Sequence, residues 1–169
     1  SRTRAPGKIS AKPMIIAANK ADLCKDLEIL KKISELVIPC SAETELLLRK
    51  ATKAGIINYS PGDENFTIVE GKEIAPAQQK ALDLVHSVLS KIQSTGIQKI
   101  LNTAVFDSLK FIVVYPVEDE TKLTNKDGIV LPDTKLVPQD STAKDLSGLI
   151  HDDIAKGFLH AIDCKTKQR

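Results

Sequence analysis

Cysteine is scarce. The chain has three, Cys24, Cys40 and Cys164, odd in number, far apart and without C-x-x-C spacing. That argues against a disulfide framework or a zinc site and fits a reducing, cytoplasmic setting. Long apolar runs are lacking too. None approaches the roughly 20 residues that span a bilayer, and no signal-peptide pattern opens the chain. An excess of one charge is missing as well: the net charge is +2, which gives no strong nucleic-acid footprint. The one locally basic stretch without an acid, "SRTRAPGKISAK" at residues 1–12, reads as a solvated tail or loop rather than a phosphate-binding arm. Ser1 is not a Met, so the chain is expected to begin inside a longer protein.

What is present suffices for a globular core. The 169 residues are 42% hydrophobic and 27% charged, enough for one medium domain or two small ones. The first half alternates strand and helix. Pro13 to Ala18 is a short apolar run, as expected of a strand buried on both faces. Asp22 or Asp26 could cap a helix reaching about Leu36, with Ile29, Leu30, Ile33 and Leu36 on one face. "LVIPCSA" is a second short strand, and "ETELLLRKATKAG" a helix stopped at Gly55. Such alternation implies parallel pairing and an α/β layer.

Further along, Phe66 to Val69 reads as a small strand within a loop. Pro76 opens a long helix whose expected inner face is Ala77, Ala81, Leu84, Val85, Val88 and Ile92. Ser94-Thr95-Gly96 breaks it, and Ile97 to Leu109 forms a second apolar stripe. "FIVVYPV" is a strand by composition, "TNKDGIVLPD" holds an Asp-Gly turn, and "TKLVPQ" is extended. "STAKDLSGLIHDDIAKGF" reads as one capped helix, with Ser141 or Thr142 able to accept from exposed amides, Thr142-x-x-Asp145 resembling a capping box, and Ala143, Leu146, Leu149, Ile150 and Ile154 inside. "FLHAID" reads as a further strand. Hairpin, helix, strand is the opening order of a β-grasp fold, so two units are expected, residues 1–110 and 111–169.

The stretch "KPMIIAANKADL" carries the chemistry. An apolar strand stops at an amide, an ammonium and a carboxylate: Asn19, Lys20 and Asp22. Open α/β sheets bind ligands at such carboxyl ends. An ionised Asp22 offers two acceptors side by side, matching the N1–H and N2 amine of guanine, which adenine does not present. Leaving such groups unpaired costs about 1–3 kcal/mol each. Lys20 could lay its stem on the base, and Asn19 is suited to tethering neighbouring loops. Ser41 and Ala42 end the next strand, where a small residue lets a backbone N–H approach the base oxygen. Four letters remain a short signal, and a polar turn before a helix is the competing reading.

Together with "IPCSAETELLLRKATKAG", "STGIQKILNTAVFDSLKFIVVYPVEDE" and "VLPDTKLVPQDSTAKDLSGLIHDDIAKGFLHAID", this stretch resembles the archaeal YchF-related branch of the Obg-type GTPases over nearly the whole chain. The resemblance implies an α/β fold: the C-terminal part of a P-loop GTPase parallel sheet with helices, followed by a ubiquitin-like β-grasp (TGS) domain that stops early. It places Asn19, Lys20 and Asp22 in the base-specificity motif, and Ser41 and Ala42 in the second base-contact motif. Many YchF proteins carry a Glu variant and favour ATP; Asn-Lys-Ala-Asp argues for GTP/GDP instead.

No G-x-x-x-x-G-K-[ST] occurs in the chain, so it offers neither a phosphate cradle nor the Ser/Thr that would hold magnesium. No catalytic or metal residue is assigned to it. In the family, the Mg2+ ligands and the residues positioning water lie upstream. The expected function is GTP binding, with hydrolysis in the full-length protein and a TGS module for ribosome, RNA or protein association. The alternative is a non-catalytic RNA- or protein-binding module carrying a structural α/β remnant. His86 reads as a helix-surface or packed residue. His151, Asp152 and Asp153 point in different directions on a helix and do not form a shared metal site.

Overall fold

The computed structural model describes residues 13–33 and 36–169; the basic N-terminal stretch read as a tail lies outside them. The chain divides into two compact units, between Ala104 and Val105.

In the first unit, strand β1 (Ile16–Ala18) pairs in parallel with β2 (Val37–Pro39), with Ile16 opposite Val37 and Ala18 opposite Pro39. Parallel pairing was expected; burial of β1 on both faces was not met. Met14 and Ile16 are exposed, because β2 is the only strand paired with β1 among the described residues. The intervening helix is a single turn, α1 (Glu28–Lys31), far shorter than the expected run to Leu36. Its apolar residues explain why: Ile29, Ile33 and Leu36 are exposed and gain nothing from a helical stripe. Asp26 still serves its entrance, Oδ1 accepting from the Glu28 amide at 2.9 Å.

Helix α2 (Ala42–Lys53) starts on a Ser41 cap, whose Oγ accepts from the Thr44 amide. It ends before Gly55, which adopts φ +65°. A short antiparallel ribbon follows, β3 (Ile57–Asn58) with β4 (Thr67–Ile68). Then comes α3 (Pro76–Ile92), with Pro in its first turn. The core packs α2, the ribbon and α3 together through Leu48, Ile57, Tyr59, Leu82, Val85 and Leu89. The inner face of α3 is therefore rotated from the expected one. Leu84 is 70% exposed, while Leu82 and Leu89 are buried. The apolar residues of α3 spread over an arc of about 160°, wider than the part that is buried, so spacing alone could not select which side of that arc α2 would cover. His86 is exposed on the same helix. Gln93 and Gly96 take left-handed backbone, and α4 (Ile97–Asn102) continues as a π-helical turn to Ser108.

The second unit holds an antiparallel pair, β5 (Phe111–Val114) with β6 (Lys135–Pro138). Between them Asn125 folds a tight turn. Its Oδ1 accepts from the amides of Asp127 and Ile129, and Gly128 sits at φ +76°. The single helix expected from "STAKDLSGLIHDDIAKGF" is two helices, α5 (Ala143–Ile150) and α6 (Asp152–Lys156). His151 is extended between them and caps the second, Nδ1 accepting from the Asp153 amide at 3.2 Å. The expected inner face is correspondingly open: Leu149, Ile150 and Ile154 are exposed. "FLHAID" forms no strand. No described strand pairs with it, and Leu159 is 90% exposed.

Candidate functional site

The carboxyl ends of β1 and β2 are built into one another. As β1 ends, the Cys40 amide donates to the Ala18 carbonyl, and the Ala21 amide donates back to the Cys40 carbonyl, both at 3.0 Å. Ala21 is buried in this lattice, so the residue between Lys20 and Asp22 must be small. Lys20 sits in the left-handed region at φ 62°, uncommon for a residue with a Cβ. Asn19 supports that turn, its Oδ1 accepting from the Lys20 amide at 2.9 Å. The same oxygen accepts from the Ala42 amide at 3.1 Å. One side chain thus tethers the Asn19–Asp22 turn to the Ser41–Ala42 turn.

Of the five residues singled out in the sequence, Asn19 and Ala42 are in direct contact and Lys20 shares the Asn19 oxygen. The Ser41 side chain faces inward as the α2 cap, with Thr44 Oγ1 2.8 Å away. Asp22 is half-buried, and its carboxylate has no hydrogen-bond partner among the described residues. Its backbone is held: Lys91 Nζ, in the last turn of α3, donates to the Asp22 carbonyl at 3.1 Å and to the Cys24 carbonyl.

Sequence reasoning passed over a second layer. The Ser41 amide donates to the Thr95 carbonyl at 2.9 Å. Thr95 is fully buried, and its hydroxyl donates to Glu45 Oε2 at 2.6 Å. Glu45, only 5% exposed, also accepts from Tyr59 OH at 2.8 Å and from Arg49 Nε at 2.6 Å. Burial pushes the Glu45 carboxyl up, but the three donors outweigh it and hold it below the ordinary value. Burial and the neighbouring Glu45 raise the Tyr59 hydroxyl. One signal was present: Glu45 stands three residues before Leu48, on the helix face that should be apolar.

Among the described residues no three His, Cys, Asp or Glu side chains gather as a metal site. No described helix is long and apolar enough to cross a membrane.

The geometry is thus two strand ends joined by one Asn, with a carboxylate beside them that has no partner among the described residues. Residues 17–119 match the family described as Obg-like GTPase YGR210-like, G4 motif-containing domain, and the chain belongs to it. It is 48% identical over 167 residues to an uncharacterized GTP-binding protein of Methanocaldococcus jannaschii, covering 96% of this chain and 42% of that protein. The crystal structure of a GTP binding protein from Pyrococcus horikoshii OT3 is similar with a TM-score of 0.70 at 41% identity, covering 94% of this chain and 41% of that one. The mixed α/β fold thus resembles that of a GTP-binding protein, and the chain spans about two fifths of the length of the relatives it matches.

Proposed function

We propose that this chain supplies the guanine-selecting part of a GTP site. Asp22 accepts from the N1–H and N2 amine of the base, Lys20 covers its face, and the Ala42 amide, which donates to Asn19 Oδ1 in this structure, is shared with its 6-oxygen as a three-centre bond. Asn19 is the tether that brings the two turns together. The observation that carries the reading is the Asn19 Oδ1 to Ala42 amide bond, which joins stretches 23 residues apart beside an unpaired carboxylate.

The full-length protein is a cytoplasmic GTP hydrolase of the YchF-related branch. Phosphate and Mg2+ would be held by residues outside this chain, which carries no G-x-x-x-x-G-K-[ST] stretch. The second unit is the start of a TGS-type β-grasp module for ribosome, RNA or protein association. Its ribbon leaves Ile112, Val113, Tyr115 and Leu136 exposed, which suits a docking role and also supports the reading of a binding module.

Competition binding on the full-length protein tests the central statement. GDP should bind on the order of a hundredfold more tightly than ADP, the expected size of two charge-assisted hydrogen bonds. Equal affinity for the two would overturn it.

A further inference from the structure

A buried carboxylate on α2 has no place in the base contacts, yet it is bonded to the loop that holds them. Glu45 accepts from three donors, Thr95, Tyr59 and Arg49. The bond to Thr95 fixes the side chain of a residue whose carbonyl receives the Ser41 amide. The next residue, Gly96, lies against the same turn. At φ +78° it has room for no side chain: a Cβ there would stand 2.1 Å from the Pro39 carbonyl oxygen and 2.9 Å from Cys40 Cα. The Cys40–Ser41–Ala42 turn is therefore gripped from one side by Thr95–Gly96 and from the other by Asn19.

We propose that Glu45 is a positioning residue for base recognition: acting through Thr95, it holds the Ser41–Ala42 turn where that turn reads the 6-position of guanine. The inference rests on the base-site reading above. A carboxylate suits this place because its two oxygens take three donors, with Thr95 and Tyr59 on one and Arg49 on the other. An apolar side chain would fill the space and leave the Thr95 hydroxyl unpaired in a dry site. Without the Glu45 bond the Thr95 peptide can rotate, and the amide geometry of Ser41 and Ala42 loosens with it.

The test uses full-length protein and four nucleotides: GDP, 6-thio-GDP, IDP and XDP. The sulfur analogue keeps the N1–H and N2 amine and weakens only the 6-position acceptor. Thr95→Val keeps the shape of the side chain and removes the hydroxyl. It should weaken GDP binding about tenfold, the size of one lost hydrogen bond to a charged group. The preference for GDP over 6-thio-GDP should shrink toward one, while the preference for GDP over IDP, which reads the N2 amine at Asp22, should hold. Glu45→Gln should fall between wild type and Thr95→Val. The double variant should be no worse than the more affected single one, because both act on one bond.

A role confined to stability predicts otherwise: melting temperature falls, all nucleotides weaken by one factor and the sulfur preference stays. That result overturns the proposal. Asp22→Asn, measured alongside with GDP and XDP, separates the two readings. If its base preference shifts while Thr95→Val leaves the sulfur preference unmoved, the base site stands and Glu45 has no part in it. If Asp22→Asn changes nothing, the base site itself fails, and the Glu45 proposal with it.

Discussion

Asn19 Oδ1 accepts the Ala42 amide at 3.1 Å and the Lys20 amide at 2.9 Å, so a single oxygen closes the gap between two strand ends. Asn19→Ala removes both bonds at once. The unpaired amides should lower stability by about 1–2 kcal/mol, and guanine nucleotide binding should weaken tenfold or more as the turns separate. Urea denaturation and nucleotide titration check the two parts. A stable protein with unaltered binding would remove the tether from the scheme.

Gly96 has a sharper requirement. Its φ of +78° disfavours any Cβ, and the nearest atoms are backbone atoms of Pro39 and Cys40 that cannot swing aside. Gly96→Ala should cost at least about 2 kcal/mol, from left-handed backbone strain together with overpacking. Gly55→Ala is the control. It shares positive φ but meets no atom within 4 Å, so its loss should be about 1 kcal/mol.

Acid should act on the Glu45 cluster. Glu45 in the folded protein lies below its ordinary value of 4.5. Its contribution is therefore present above that value and is lost as pH falls toward the folded one. Asp119, Asp145 and Asp163 are lowered as well, by hydrogen bonds from neighbouring residues, so wild type alone does not isolate Glu45. Glu45→Gln should be less stable than wild type at neutral pH, and the gap should narrow on acidification. Denaturation midpoints at about pH 7 and about pH 3 measure it. A constant gap would contradict the assignment.

The second unit offers a separate check. Thr142 Oγ1 accepts from the Asp145 amide at 3.2 Å, and Asp145 Oδ2 accepts from the Thr142 amide at 2.8 Å. This reciprocal box starts α5. Thr142→Ala should cost about 1 kcal/mol and increase amide exchange in the first turn of α5, with little effect on nucleotide binding.

Local chemistry was legible where it decides the structure locally. Gly55 as a stop, Pro76 as a start and the Thr142–Asp145 box depend on neighbours a few residues away, and each is where the sequence put it. Asn19 as a tether followed from its donor and acceptor on a short stem. Features set by distant partners were not legible. The inner face of α3 depends on where α2 lies, so Leu82 and Leu89 displaced Leu84. "FLHAID" has strand-like composition, but a strand exists only with a pairing partner. Thr95 and Gly96 read as a helix break because their partners, Ser41, Cys40 and Glu45, lie more than 45 residues earlier.

The most direct measurement is the base preference of Asp22→Asn in the full-length protein. An amide in place of the carboxylate presents one donor and one acceptor, which suits the 2-oxo group of xanthine and opposes the N2 amine of guanine. The expected result is an inversion: GDP weakened by on the order of a hundredfold and XDP bound more tightly than GDP, the cost of mispaired polar groups at two positions. An Asp22→Asn protein that still prefers GDP over XDP as wild type does would contradict the assignment of this site to guanine.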